Sequence, residues 1–142
     1  MARILVIDDD PDIRGLLSIH FQGSGHQVVE AEDGAHGIGL AAQRRPDVVI
    51  LDIDMPVLDG HATIRIMKGD LKMSHIPVVV LTSHTNDGTQ KRLQQAGCAA
   101  FIAKPFDLDQ LDRVVAKCLK ASRIENNGPS PDPSAFEQST LV

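Results

Sequence analysis

Four apolar runs in this 142-residue chain end in side chains that can do chemistry. "RILVI" (3–7) leads into Asp8, Asp9 and Asp10, and "DVVIL" (47–51) leads into Asp52, with Asp54 two residues further on. "PVVVL" (77–81) leads into Thr82 and Ser83, and "AAFIA" (99–103) into Lys104. Carboxylates gathered within a few ångströms repel, and one pKa rises unless a cation intervenes. The cation that suits oxygen ligands and waters is Mg²⁺ or Mn²⁺. A divalent ion, an ammonium and a hydroxyl around a carboxylate are the parts phosphoryl transfer needs, because that chemistry is mainly positioning and charge stabilisation. The carboxylate itself can be the nucleophile and give an aspartyl phosphate.

These residues act together only if the fold brings the strand ends to one place. The apolar runs are short and rich in Val, Ile and Leu, as in strands buried on both faces of a parallel sheet. A weaker run, "HQVVE" (26–30), makes a fifth. Helical spacing lies between them. Ile13, Leu16, Leu17, His20 and Phe21 form one stripe; Leu108, Leu111, Val114, Val115, Cys118 and Leu119 form another. Asp107 is placed to cap the last helix, and Asp10, before Pro11 at the first helical turn, complements the dipole of the first. Residues 34–45 predict a weaker helix, because Gly34, Gly37 and Gly39 each disfavour it. Residues 60–69 and 86–97 are further helical segments, the latter with few apolar anchors. Asp59-Gly60 reads as turn chemistry and a helix start. Strands alternating with helices form right-handed βαβ units, so the expected fold is a doubly wound α/β parallel sheet. Ligands of such sheets bind outside the carboxyl ends, where strand order reverses. In the common order 2-1-3-4-5 the reversal lies between strands 1 and 3, where Asp8, Asp9 and Asp52 would meet beside Thr82 and Lys104.

At this point the motifs resemble a known family. "ILVIDDDPDIR", "PDVVILDIDMPVLDG", "VVVLTSH" and "AFIAKPF", in this order, look like the receiver domain of two-component response regulators, CheY-like and of the single-domain type. The match covers residues 2 to about 121. The resemblance implies a flavodoxin-like (βα)5 fold and phosphorylation of Asp52 by a histidine kinase or a histidine phosphotransfer protein. It implies that Asp9 and Asp52 give carboxylate ligands to Mg²⁺, that Asp8 acts mainly through water, and that Asp54 contributes its backbone carbonyl. Lys104 would bind a phosphoryl oxygen, Thr82 would hydrogen-bond the phosphoryl group, and Phe101 would be a switch aromatic that turns inward. Lys104-Pro105 resembles the family's cis bond. The fourth helix, fifth strand and fifth helix would form the face that changes for a downstream protein target. The chain would act as a monomer or a phosphorylation-dependent dimer, with no enzyme activity beyond its own phosphorylation and dephosphorylation.

Two rival functions use the same residues. Asp52 to Met55, "DIDM", is similar to the D-x-D of haloacid-dehalogenase-like phosphatases, but that reading leaves Asp8 and Asp9 unexplained. The other rival is a receiver-fold interaction module that is never phosphorylated. Composition sets the outer bounds. Hydrophobic residues make up 42%, with no Trp or Tyr and four Phe, so the core must be aliphatic. A net charge of -5 argues against general nucleic-acid binding. No apolar stretch approaches the ~18 residues of a membrane span, and the start turns acidic too soon for a signal peptide. Cys98 and Cys118 lack metal-ligand spacing and read as structural thiols of a cytoplasmic protein. None of the six histidines has ligand spacing; His84, two residues after Thr82, borders the expected site. After Ser122 the composition changes and three of the eight prolines follow, so residues 1–121 read as the domain and 122–142 as a disordered tail or linker. No output domain or DNA-binding unit is evident.

Overall fold

The computed structural model describes residues 1–55 and 60–125, with side chains to residue 121. The turn assigned to Asp59 and the tail expected beyond the last helix lie outside the described residues. In chain order the elements are β1 (Arg3–Ile7), α1 (Pro11–Gly23), β2 (Gln27–Ala31), α2 (Gly34–Arg44), β3 (Val48–Asp52), α3 (Gly60–Lys68), β4 (Val78–Thr82), α4 (Asp87–Ala96), β5 (Ala100–Ala103) and α5 (Leu108–Glu125). All pairings are parallel and the strand order is β2-β1-β3-β4-β5. This is the flavodoxin-like doubly wound sheet expected from the alternation of runs. Helix α5 continues past the composition change at Ser122 to Glu125.

Two aliphatic cores flank the sheet, because successive strand side chains point to opposite faces. Leu5, Ile7, Val49, Leu51, Val80 and Phe101 face one way and pack with Ala41 of α2, Ile64 and Met67 of α3, and Leu93 of α4. Ile4, Val6, Val48, Ile50, Val79 and Leu81 face the other way and pack with Leu17 and Phe21 of α1 and Leu111 and Val115 of α5. Every residue of β3 and β4 is buried. Polar residues can appear on these central strands only at their ends, and Asp52 and Thr82 are the last residues of β3 and β4.

The helix starts follow the caps in the sequence. Asp10 accepts from the Asp12 amide at 2.9 Å, Asn86 from Thr89 at 2.9 Å and Asp107 from Gln110 at 2.6 Å. Gly97 ends α4 in the left-handed region at φ 100°, where a side chain would be strained. Helix α2 forms fully despite its glycines, because Gly37 makes room for the sheet: a Cβ there would stand 2.3 Å from Ile7 Cδ1. Packing overrides propensity. Helix α4 buries only Thr89 and Leu93, as its sparse apolar content predicted.

One stripe is corrected. Leu16 was expected inside, but it is 48% exposed, and Ser18 is buried instead. The contact face of α1 is centred on Leu17, Ser18 and Phe21, one residue on from the predicted stripe, which carries Leu16 to the rim.

Candidate functional site

The carboxyl ends of β1, β3, β4 and β5 open on one edge, and the predicted residues gather there. Asp8 follows β1 and is 1% exposed; Asp52 closes β3 and is 4% exposed; Asp9 is exposed. One carboxylate oxygen from each of Asp8, Asp9 and Asp52 lies within 4.8 Å of the others. The Lys104 ammonium, just after β5, donates to Asp52 Oδ1 at 2.9 Å. The register that pairs Asp52 with Leu81 and Thr82 with Ala103 sets β4 and β5 to deliver Thr82 and Lys104 beside Asp52. Lys104-Pro105 is cis.

Local hydrogen bonds aim these side chains. The Asp10 amide donates to Asp8 Oδ1 and the Asp54 amide to Asp52 Oδ1, both at 2.9 Å. Each is an Asx-type turn that folds a strand-end carboxylate back over its own loop. Arg14 of α1 donates to the Asp8 carbonyl at 2.7 Å and pairs with Glu30 of β2 at 3.4 Å, tying α1 to the strand end.

The electrostatics match the sequence argument. Burial, then the neighbouring Asp52, pushes the Asp8 carboxyl up to about 7, despite the lowering by the Asp10 amide and Lys104. Burial opposes the Lys104 charge, but the hydrogen bond and charge of Asp52, with Asp54 and Asp8, raise its pKa on balance. Asp8 Oδ2 is buried and has no hydrogen-bond partner. Three carboxylates with converging oxygens, and an orphaned oxygen on Asp8, fit a divalent cation of the Mg²⁺ class.

Asp54 stands apart from the acid cluster. Its carboxylate turns to the loop after β4, toward Thr82, Ser83 and His84. Burial would raise its pKa, but the Ser83 hydrogen bonds, Lys104 and His84 bring it below the ordinary value. Thr82 is fully buried, and its hydroxyl accepts from the His84 amide at 2.9 Å. Phe101 is 1% exposed and lies inward, in the core on the α4 side. His84 borders the site as expected. Sequence reasoning gave Ser83 no role of its own and missed Arg14. The polar run that follows β4 could have suggested Ser83; nothing in the local pattern singles out Arg14.

Comparison with known proteins agrees with this geometry. Residues 4–116 match the response regulator receiver domain. The chain is 36% identical over 119 residues to protein PilH of Pseudomonas aeruginosa, covering 84% of this chain and 98% of PilH. It is 27% identical over 116 residues to the polar-differentiation response regulator DivK of Brucella anthropi, covering 82% and 94%. Among solved structures, chemotaxis protein CheY4 of Vibrio cholerae superposes with a TM-score of 0.80 at 28% identity, over 84% of this chain and 99% of that one. The fold is that of a CheY-like signalling domain. The chain belongs to the response regulator receiver family of two-component signalling, whose hallmark is phosphorylation of an aspartate. The phosphatase and the unphosphorylated module find no support. Asp8 and Asp9, which the D-x-D reading leaves idle, share one cluster with Asp52. No helix among the described residues is long and apolar enough to cross a membrane.

Proposed function

We propose that Asp52 is the phosphoacceptor and that residues 1–121 work as a phosphorylation-driven switch without substrate turnover. The supporting observation is the position of the Asp52 carboxylate. It is nearly buried, held by Lys104 at 2.9 Å, and shares a 4.8 Å cluster with Asp8 and Asp9. Asp9 and Asp52 would hold Mg²⁺ by their carboxylates, Asp8 through water, and Asp54 by its backbone carbonyl. Bound there, the ion neutralises charge on the incoming phosphoryl group.

The donor is a phosphohistidine of a histidine kinase or phosphotransfer protein. A carboxylate oxygen of Asp52 attacks phosphorus, and an acyl phosphate bond forms. The phosphorus–nitrogen bond breaks with its electron pair going to the imidazole, which regains a proton from solvent. The acyl phosphate carries roughly -1.5 to -2 charge where the carboxylate carried one. Lys104 stays within reach of a phosphoryl oxygen. Thr82 Oγ1 turns to another, and Phe101 packs behind it. Helix α4 is anchored by two buried residues and is the element most easily shifted. The face of α4, β5 and α5 then changes for a downstream protein target in the cytoplasm.

The test is labelling of Asp52 by acetyl phosphate with Mg²⁺, read by intact mass. Asp52→Ala should abolish it. Undiminished labelling of the variant sinks the assignment.

A further inference from the structure

Asp54 has more donors around it than any other carboxylate in the site. Its Oδ2 accepts from the Ser83 amide at 2.9 Å and the Ser83 hydroxyl at 2.8 Å, and lies 3.6 Å from Lys104 Nζ. Its Oδ1 lies 3.2 Å from His84 Nδ1 and accepts from Thr82 Oγ1 at 3.4 Å. The same Lys104 ammonium is 2.9 Å from Asp52 Oδ1. One cation therefore bridges the two carboxylates, and the hydroxyl at the end of β4 leans on the second of them.

A phosphoryl group on Asp52 needs donors from this set. It presents three strong acceptor oxygens and close to two negative charges where the carboxylate had one. The Thr82 hydroxyl has one proton to give and two acceptors 3.4 Å away, Asp54 Oδ1 and the His84 carbonyl, so a phosphoryl oxygen must take that proton from one of them. The Ser83 amide is likewise a single donor, already directed at Asp54. Asp54 is also a fixed negative charge within reach of the lysine that must neutralise the newcomer.

We propose that the Asp54 carboxylate is an internal competitor of the phosphoryl group: it occupies the Thr82, Ser83 and Lys104 donors in the unphosphorylated chain and must give them up in the phosphorylated one. The inference rests on Asp52 as the phosphoacceptor. It assigns Asp54 a role for its side chain that is separate from any use of its backbone carbonyl. Holding Ser83 and His84 through the same carboxylate, Asp54 keeps the loop before α4 in its resting position. Release of Asp54 and release of that loop are then one event.

The probe is beryllofluoride, a phosphoryl mimic, titrated into the full chain at saturating Mg²⁺ and followed by amide NMR; acetyl phosphate labelling gives the rate. Asp54→Asn keeps the shape, removes the charge and weakens the acceptors. Beryllofluoride should bind about tenfold tighter, the fold-change of roughly one hydrogen bond released from competition. Ser83→Ala keeps the backbone amide and removes only the hydroxyl that anchors Asp54, which loosens Asp54's hold on that amide, so a smaller gain in the same direction is expected. A residue that merely braced the loop would give the opposite sign in both variants. Unchanged or weaker binding in folded Asp54→Asn overturns the proposal. If that variant does not fold, the absence of a gain in Ser83→Ala overturns it. A wild-type chain that neither binds beryllofluoride nor labels would refute the phosphoacceptor reading itself, and this proposal with it.

Discussion

Replacing Asp8 by Asn should stabilise the metal-free protein at alkaline pH and weaken it in acid. Asp8 is 1% exposed, faces Asp52, and has its carboxyl raised from an ordinary 3.8 to about 7. A raised carboxyl means that the fold prefers the protonated form. Between pH 4 and 7 the folded chain keeps a proton that the unfolded chain has released, so this group's contribution to stability falls as pH rises through that window. At 1.36 kcal/mol per pH unit, the span from 3.8 to about 7 corresponds to about 4 kcal/mol. Asparagine removes the charge but still buries an amide at the position where Oδ2 lacks a partner, which costs about 2 kcal/mol. The expected net gain at pH 8 is about 2 kcal/mol, or roughly 6–10 °C in melting temperature for a domain of this size. At pH 4 the folded Asp8 is neutral as well, so only the amide cost remains and the variant should be about 2 kcal/mol less stable than the wild type. Thermal unfolding of both proteins in chelator, at several pH values, measures it. The proposed Mg²⁺ site adds a second arm: Mg²⁺ should stabilise the wild type at pH 8 and do much less for the variant. A variant less stable at pH 8, or one equally stabilised at pH 4, would refute the reasoning.

The remaining expectations are shorter. Lys104→Ala removes the cation that lowers Asp8, so the Asp8 titration followed by NMR should move above about 7; a downward move contradicts the assigned charges. Gly60→Ala would place a Cβ 2.6 Å from Ile53 Cα, between Asp52 and Asp54, and should destabilise by about 3 kcal/mol in urea while also slowing phosphorylation. The Cys98 and Cys118 thiols are pushed up to about 12 and about 11, mainly by burial, so iodoacetamide at pH 8 should leave both unmodified until urea is added.

The architecture was legible because burial writes itself into sequence. Strands β3 and β4 are covered on both faces, so they must read as unbroken apolar runs, and "DVVIL" and "PVVVL" do. A run that ends abruptly in Asp52 or Thr82 therefore marks a strand end, and parallel winding sends all such ends to one edge. That logic brought Asp8, Asp9, Asp52, Thr82 and Lys104 together from four separate segments. It could not register α1 to a single residue. Leu16 and Ser18 both lie near the stripe, and the docking angle of the helix, not its periodicity, put Ser18 inside.

It also could not say which way a side chain turns once the chain leaves the strand. Asp52 and Asp54 are two residues apart and of one type, yet they meet different surroundings. Asp52 is the last residue of β3, and its direction is set by the pleat and by Lys104. Asp54 lies beyond the ladder, where no pleat directs it. It goes to the strongest unspent donors nearby, the Ser83 amide and hydroxyl, which the turn after β4 leaves pointing at it. Spacing identifies a carboxylate in such a loop, but only the donors of another segment decide what it does. The phosphoryl group is drawn to those donors for the same reason. A site built to bind one anion will, when a second carboxylate is tethered within reach, bind that carboxylate first.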